Sequence, residues 1–187
     1  MALPEMISIE DANPMAFPPS DMPKGLHALG GQDDYLTALV TMAEWGDPKA
    51  QHNLGALFLE GREVIQDYAE AFKWHSLAAE QGMAAAQHDL GTMHMEGLGV
   101  PENPVEAGKW FQLAAQQGDP NAMNNLGILH ATGQGVDPDL VAAYMWFTLA
   151  AMNGLTDGLD NRAIAAQDMT PEQIAEAQAK SDDWQPK

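Results

Sequence analysis

The sequence predicts an all-α protein built from 36-residue helix-turn-helix repeats. Three observations carry this. The same residues recur at a single spacing, turn-forming residues bracket each unit at fixed places, and the apolar residues inside each unit follow a helical period. Gly46, Gly82, Gly118 and Gly154 are each 36 apart, as are Ala50, Ala86 and Ala122. Leu54-Gly55 recurs as Leu90-Gly91 and Leu126-Gly127, and Gly61 recurs as Gly97 and Gly133. Trp74 recurs as Trp110 and Trp146, and Ala78-Ala79 recurs as Ala114-Ala115 and Ala150-Ala151.

In chain order, residues 1–32 contain Pro4, Pro14, Pro18, Pro19 and Pro23, which exclude a long helix and predict an irregular segment. Asp33 to Trp45 ends at Gly46 in the register of a second helix and predicts a lone first helix. Three full units follow, at about 47–82, 83–118 and 119–154. In the third, Asp119 is an N-cap and Pro120 takes the first helical position. Its helix A runs to about Thr132 and stops at Gly133-Gln134-Gly135-Val136. Asp139 then opens helix B, which Gly154 ends as a left-handed cap. Asn103-Pro104 opens helix B of the second unit by the same chemistry. Ala122, Leu126 and Leu129 on helix A, and Ala71, Trp74 and Ala78 on helix B, each lie on one helical face.

A glycine inside a helix costs roughly 1 kcal/mol against alanine. Gly55, Gly91 and Gly127 at one place in every helix A therefore predict close approach by a neighbouring helix, with Trp74, Trp110 and Trp146 filling the larger gaps. Residues 155–187 predict two capping helices, the second opened by the capping box Thr170-Pro171-Glu172-Gln173. On helix B, the outer positions Glu70, Lys73, Ser76 and Glu80 are polar in the first unit. The third unit has Ala142, Met145, Thr148 and Met152 there. That face must be covered. The final helix, with Ile174, Ala177 and Trp184 at helical spacing, is the expected lid. A homodimer through Ala142, Met145 and Met152 is the alternative to a covered monomer.

Composition excludes several function classes. Of the 187 residues, 45% are hydrophobic, enough for a packed core, and none is cysteine. Disulfides, thiolate metal sites and cysteine nucleophiles are thus excluded together. With 8 basic against 27 acidic residues the net charge is −19, spread along the whole chain. Nucleic acid and anionic membranes attract clustered Lys and Arg, which are missing, so a basic protein or peptide is the expected partner. The longest nearly apolar run, Leu140 to Met152, is too short to span a bilayer. The first residues show no secretory leader, and a reducing, cytoplasmic setting is expected. A periplasmic or secreted protein whose leader has been removed is the alternative.

The strings Ala50-Gln51-His52-Asn53-Leu54-Gly55, Gly97-Leu98-Gly99-Val100, Ala107-Gly108-Lys109-Trp110 and Ala78-Ala79-Glu80-Gln81-Gly82 carry a resemblance. Over about residues 45–185 the chain resembles the Sel-one-like repeat family. This family forms right-handed α/α superhelical solenoids related to tetratricopeptide repeats. The resemblance implies a protein-interaction scaffold with helix A lining the concave face. Two departures stand out. Glu63 occupies the place of Gly99 and Gly135, and His52, His88, His94 and His130 stand where the family often carries aromatics.

The varying helix A positions are then the candidate partner contacts: Gln51, His52, Asn53, Ala56 and Glu60, with Gln87, His88, Asp89, Thr92 and Glu96. The third unit adds Asn124, Asn125, Ile128 and Thr132. Asparagine amides there can bond an extended peptide backbone, and the acids favour a basic one. Leu54, Gly55, Trp74, Leu90, Gly91, Trp110, Leu126, Gly127 and Trp146 are the expected structural set. No phosphate loop, nucleophile elbow or His-Glu-x-x-His motif is present, so no catalytic residue and no cofactor is expected. The equivalent pairs His52/His88 and His94/His130 invite a metal reading, but packing in aromatic positions is the expectation, with no metal. Two other classes remain: an architectural, self-assembling repeat protein, and, more remotely, a hydrolase like the cysteine-rich relatives linked to β-lactam hydrolysis.

Overall fold

The computed structural model describes residues 34–186; the expected irregular segment at 1–32 lies outside them. Within that range the chain is helical throughout, without strands. Helix α1 (Asp34–Glu44) precedes three helix pairs: α2 (Pro48–Glu60) with α3 (Tyr68–Glu80), α4 (Ala84–Glu96) with α5 (Pro104–Gln116), and α6 (Pro120–Thr132) with α7 (Leu140–Met152). Helix α8 (Thr156–Ala165) runs into a short 3₁₀ turn at Ala166–Asp168, and α9 (Pro171–Asp183) follows. From α1 to α8 each helix packs on the next in sequence, and α9 turns back onto α7. This is the quasi-one-dimensional contact pattern of a solenoid.

The starts and stops follow local chemistry. Asp47 and Asp119 accept from the backbone N–H of Ala50 and Ala122, each followed by proline at the first helical position. Asp67, Asn103 and Asp139 cap the three B helices in the same way. Gly61, Gly97 and Gly133 end the A helices in the left-handed conformation. Thr170 and Gln173 form the reciprocal capping box of α9. Glu63 keeps the left-handed backbone of its repeat equivalents, with φ 62° against 72° at Gly99 and 74° at Gly135. A side chain at Gly99 would run into the carbonyl of Tyr68, and one at Gly135 into the backbone of Pro104 and Val105. Glycine is thus needed twice over in those turns, while Glu63 bears the strain of the conformation.

The helix A glycines admit a ring from helix B of the same pair. A Cβ at Gly55 would lie 2.9 Å from the imidazole of His75, and one at Gly91 2.5 Å from Cε1 of Phe111. Gly127 meets Phe147 in the same way. The ring over glycine is therefore the residue after the tryptophan, not the tryptophan itself. Trp74 and Trp146 are buried further round the helix, in the cores shared with α1–α2 and with α6 respectively, whereas Trp110 is only partly buried.

Helix α7 is apolar almost all round, with Ala143, Tyr144, Trp146, Phe147, Thr148, Leu149 and Ala150 all buried. Its outer face is covered by α9. Trp184 meets Trp146 edge-to-face at 6.2 Å, Ala177 is fully buried, and Gln178 Nε2 lies 3.5 Å from the Tyr144 hydroxyl. Met145 packs with Trp184 in the same core, Ala142 is half-buried, and Met152 stays 67% exposed.

Two outcomes follow. Gly91→Ala should destabilise the fold by about 1–3 kcal/mol in urea denaturation, because overpacking against Phe111 outweighs the propensity gain of roughly 1 kcal/mol. A more stable variant would show that the ring yields. Deleting residues 171–187 should uncover Tyr144 and Trp146 and produce self-association in light scattering. An unchanged, soluble monomer would speak against α9 as the cover.

Candidate functional site

The A helices carry a diagonal line of polar contacts from one unit to the next. His52 donates from Nε2 to the Asp89 carboxylate at 2.8 Å, and Asn125 donates to His88 Nε2 at 3.3 Å. Asn161 on α8 donates to the Asn124 amide oxygen at 2.8 Å. Each pair spans 37 residues, because position 52, 88 or 124 of one unit meets position 53 of the next. His88 Nδ1 also donates to Asp89 at 3.3 Å, so His52, Asp89, His88 and Asn125 form one network.

A second line sits deeper. Gln51 donates to the carbonyl of Ala43 at 3.0 Å, and its own oxygen accepts from Gln81 at 2.7 Å. Gln87 repeats this with Ala79 and Gln117. These buried amides satisfy helix-end groups of the preceding unit. The sequence placed Gln51, Gln87 and Asn124 among partner contacts. The structure instead buries all three, with 4%, 5% and 9% exposure, and engages their amides between helices. Of the other expected contacts, His52, His88, Asp89, Thr92 and Asn125 are half-buried, and Asn53, Glu60, Glu96 and Ile128 are exposed. Glu60 pairs with Arg62.

Thr92, Glu96, Asn125 and Ile128 come together. With Met95 and Leu129 they line a groove of about 220 Å³ between α4 and α6, with Phe111 at its floor. The groove is apolar at its base, where Phe111 and Leu129 are buried, and carries the Glu96 carboxylate at its rim.

Sequence reasoning missed His75. It is fully buried on α3, neither ring nitrogen has a hydrogen-bond partner, and its Nδ1 lies 3.8 Å from Asp89 Oδ2. His52 meets it edge-on at 5.3 Å. The available signal was its repeat position, occupied by Phe111 and Phe147 in the other units. Burial pushes the His75 imidazole down to about 4. The hydrogen bond to Asp89 raises His52 above its ordinary value against the effect of burial. Burial alone would push Asp89 up. The hydrogen bonds from His52 and His88, with His75 nearby, outweigh it and hold the carboxyl well below the usual carboxylate range.

The family model for the Sel1 repeat matches residues 48–83, 84–119 and 120–155. The chain belongs to the Sel1 repeat family. Its matched units begin one residue after the boundaries read from the period. Among solved structures, it is similar to a protective antigen of uropathogenic Escherichia coli that displays an SLR fold, with 33% identity and a TM-score of 0.74. That match covers 81% of this chain and 32% of the antigen, so this chain spans about a third of its length. It is also similar to a Sel1 repeat protein from Oxalobacter formigenes, at 34% identity and a TM-score of 0.63, covering 70% of this chain and 98% of that one. No curated protein matches. Sel1 repeat proteins are commonly protein-interaction scaffolds and are generally non-catalytic.

His94 and His130 share one repeat position, filled by Phe58 in the first unit, and burial lowers both below their ordinary value. His94 stands edge-on to Phe72 at 5.4 Å. A histidine held neutral in this way contributes stability above the unfolded-state value of 6.5, and that stability is lost as pH falls through the lower folded-state value. Going from about pH 7.5 to about pH 5 should therefore lower the thermal midpoint, and His94→Phe with His130→Phe should shrink that drop. An undiminished drop in the double variant would assign it to other groups.

Proposed function

We propose that this Sel1 repeat protein is an adaptor that binds a basic peptide or protein segment across its A helices, anchored in the groove between α4 and α6. The observation that carries this is the groove itself. Four residues at three positions that vary between repeats, Thr92, Glu96, Asn125 and Ile128, converge on one apolar recess with an acid at its rim. An apolar side chain of the partner fills the recess over Phe111, a neighbouring Lys or Arg meets Glu96, and the Asn125 amide bonds the peptide backbone. The net charge of −19 adds long-range attraction for such a segment and repels nucleic acid and anionic lipid. The packing of α9 on α7 favours this reading over self-assembly through Ala142, Met145 and Met152, because much of that face is already taken.

Crosslinking capture from cell lysate, followed by affinity measurement on the recovered partner, tests the proposal. Ile128→Asp and Glu96→Lys should each weaken binding by about 10-fold or more, while Ser76→Ala on the outer face of α3 leaves it unchanged. Affinity should fall with added salt. Recovery of the chain alone, or a partner indifferent to both groove variants, would sink the groove as the contact.

A further inference from the structure

Among the described residues, the junction between the first two units holds an arrangement the other junctions lack. His52 on α2, His75 on α3 and Asp89 on α4 each present one ligand atom, and the three atoms lie within 4.8 Å of one another. We infer that His52, His75 and Asp89 form a binding site for a single divalent transition-metal ion of the zinc class, with one coordination position left open. Donor chemistry, spacing and an unsatisfied buried group mark the site.

Two imidazoles and a carboxylate match the ligand set of zinc sites with three protein ligands, in which water takes the fourth place. At metal–ligand distances of roughly 2.0–2.2 Å, tetrahedral ligands lie about 3.4 Å apart. His52 Nε2 and Asp89 Oδ2 are now 2.8 Å apart, and Asp89 Oδ2 and His75 Nδ1 3.8 Å. Adjustments of around an ångström would bring the three ligand atoms to that spacing. His52 and Asp89 keep part of their surface in solvent, which supplies an entry path and the open position. His75 supplies the inner wall. For Nδ1 to bind the ion, its proton must sit on Nε2, the side of the ring held against Gly55.

The buried imidazole is the independent observation. Phenylalanine serves in the other two units at the place of His75, so packing does not require a histidine. Burying both ring nitrogens without partners is costly, and a bound ion removes that cost at Nδ1. The next junction shows the contrast: its equivalents are His88, Phe111 and Asn125, with one ligand of metal-binding type where the first has three.

Titration of the full chain with cobalt(II) and zinc(II) tests the site. Cobalt should bind at one equivalent and give the intense visible bands of a tetrahedral ion, zinc should displace it, and zinc should raise the thermal midpoint. His75→Phe and Asp89→Asn place at each position the residue another unit already uses, so both should fold, as circular dichroism will check. Each should weaken zinc binding by at least about tenfold. Binding of equal strength in wild type and both variants would mean adventitious coordination by other histidines and acids, and would overturn the site. So would a wild-type protein whose thermal midpoint and cobalt spectrum do not respond to metal. If Asp89→Asn does not fold, His75→Phe alone decides, since it leaves the polar line of the A helices in place. Either result leaves the groove between α4 and α6 untouched, because none of its lining residues is a proposed ligand.

Discussion

A glycine in the middle of each A helix forgoes helix propensity so that a ring from the B helix can lie against bare backbone. Gly55 with His75, Gly91 with Phe111 and Gly127 with Phe147 set the distance between the two helices of every pair. With that distance fixed, the alanine rows at Ala78-Ala79, Ala114-Ala115 and Ala150 bring the next unit close, and leucines at 54, 90 and 126 fill what remains. No pair could bury its apolar side by itself, so stability comes from stacking. Both the groove over Phe111 and the buried imidazole at His75 arise from this one contact: the first where the ring floors a recess between successive A helices, the second where a polar ring takes the same seat.

Stacking is also specified by polar groups. The amides of Gln51 and Gln87 bridge from the carbonyls of Ala43 and Ala79 to Gln81 and Gln117. In the third unit Met123 stands in that place, and Asn153 turns its amide toward the sulfur at 3.7 Å. The hydrogen bonds thus weaken toward the C-terminal side while apolar cover grows, ending in the largely enclosed α7 beneath α9. Two means of holding neighbouring units together replace one another along the array.

Much of this was legible in the sequence because repetition averages out local ambiguity. Asp119-Pro120, Asn103-Pro104 and the Thr170 to Gln173 box each state a helix start, and three copies of one pattern leave little room for another period. The enclosed face of α7 could be read from Ala142, Met145 and Thr148 by comparison with the other units. The site was less legible. A helical wheel separates an inner from an outer face, but a solenoid helix touches neighbours on three sides, so Gln51, Gln87 and Asn124 read as variable surface while lying between helices. His75 escaped because the tryptophan beside it carries the louder repeat signal, and because its partners are 23 residues before and 14 after, a spacing that fits no linear motif. Only folding brings three separate helices to that point.

The diagonal line of contacts has one consequence for mechanics. Its first joint joins an imidazole raised toward its charged form to a carboxylate held well below the usual carboxylate range, while the next two each rest on an asparagine amide, Asn125 on His88 and Asn161 on Asn124. Dissolved ions screen the first joint more than the amide–amide contact of Asn161 with Asn124. The three junctions are therefore not held by equal interactions. Of the three, the joint between the first and second units is the one that rests on an imidazole–carboxylate pair, and the groove lies beyond it.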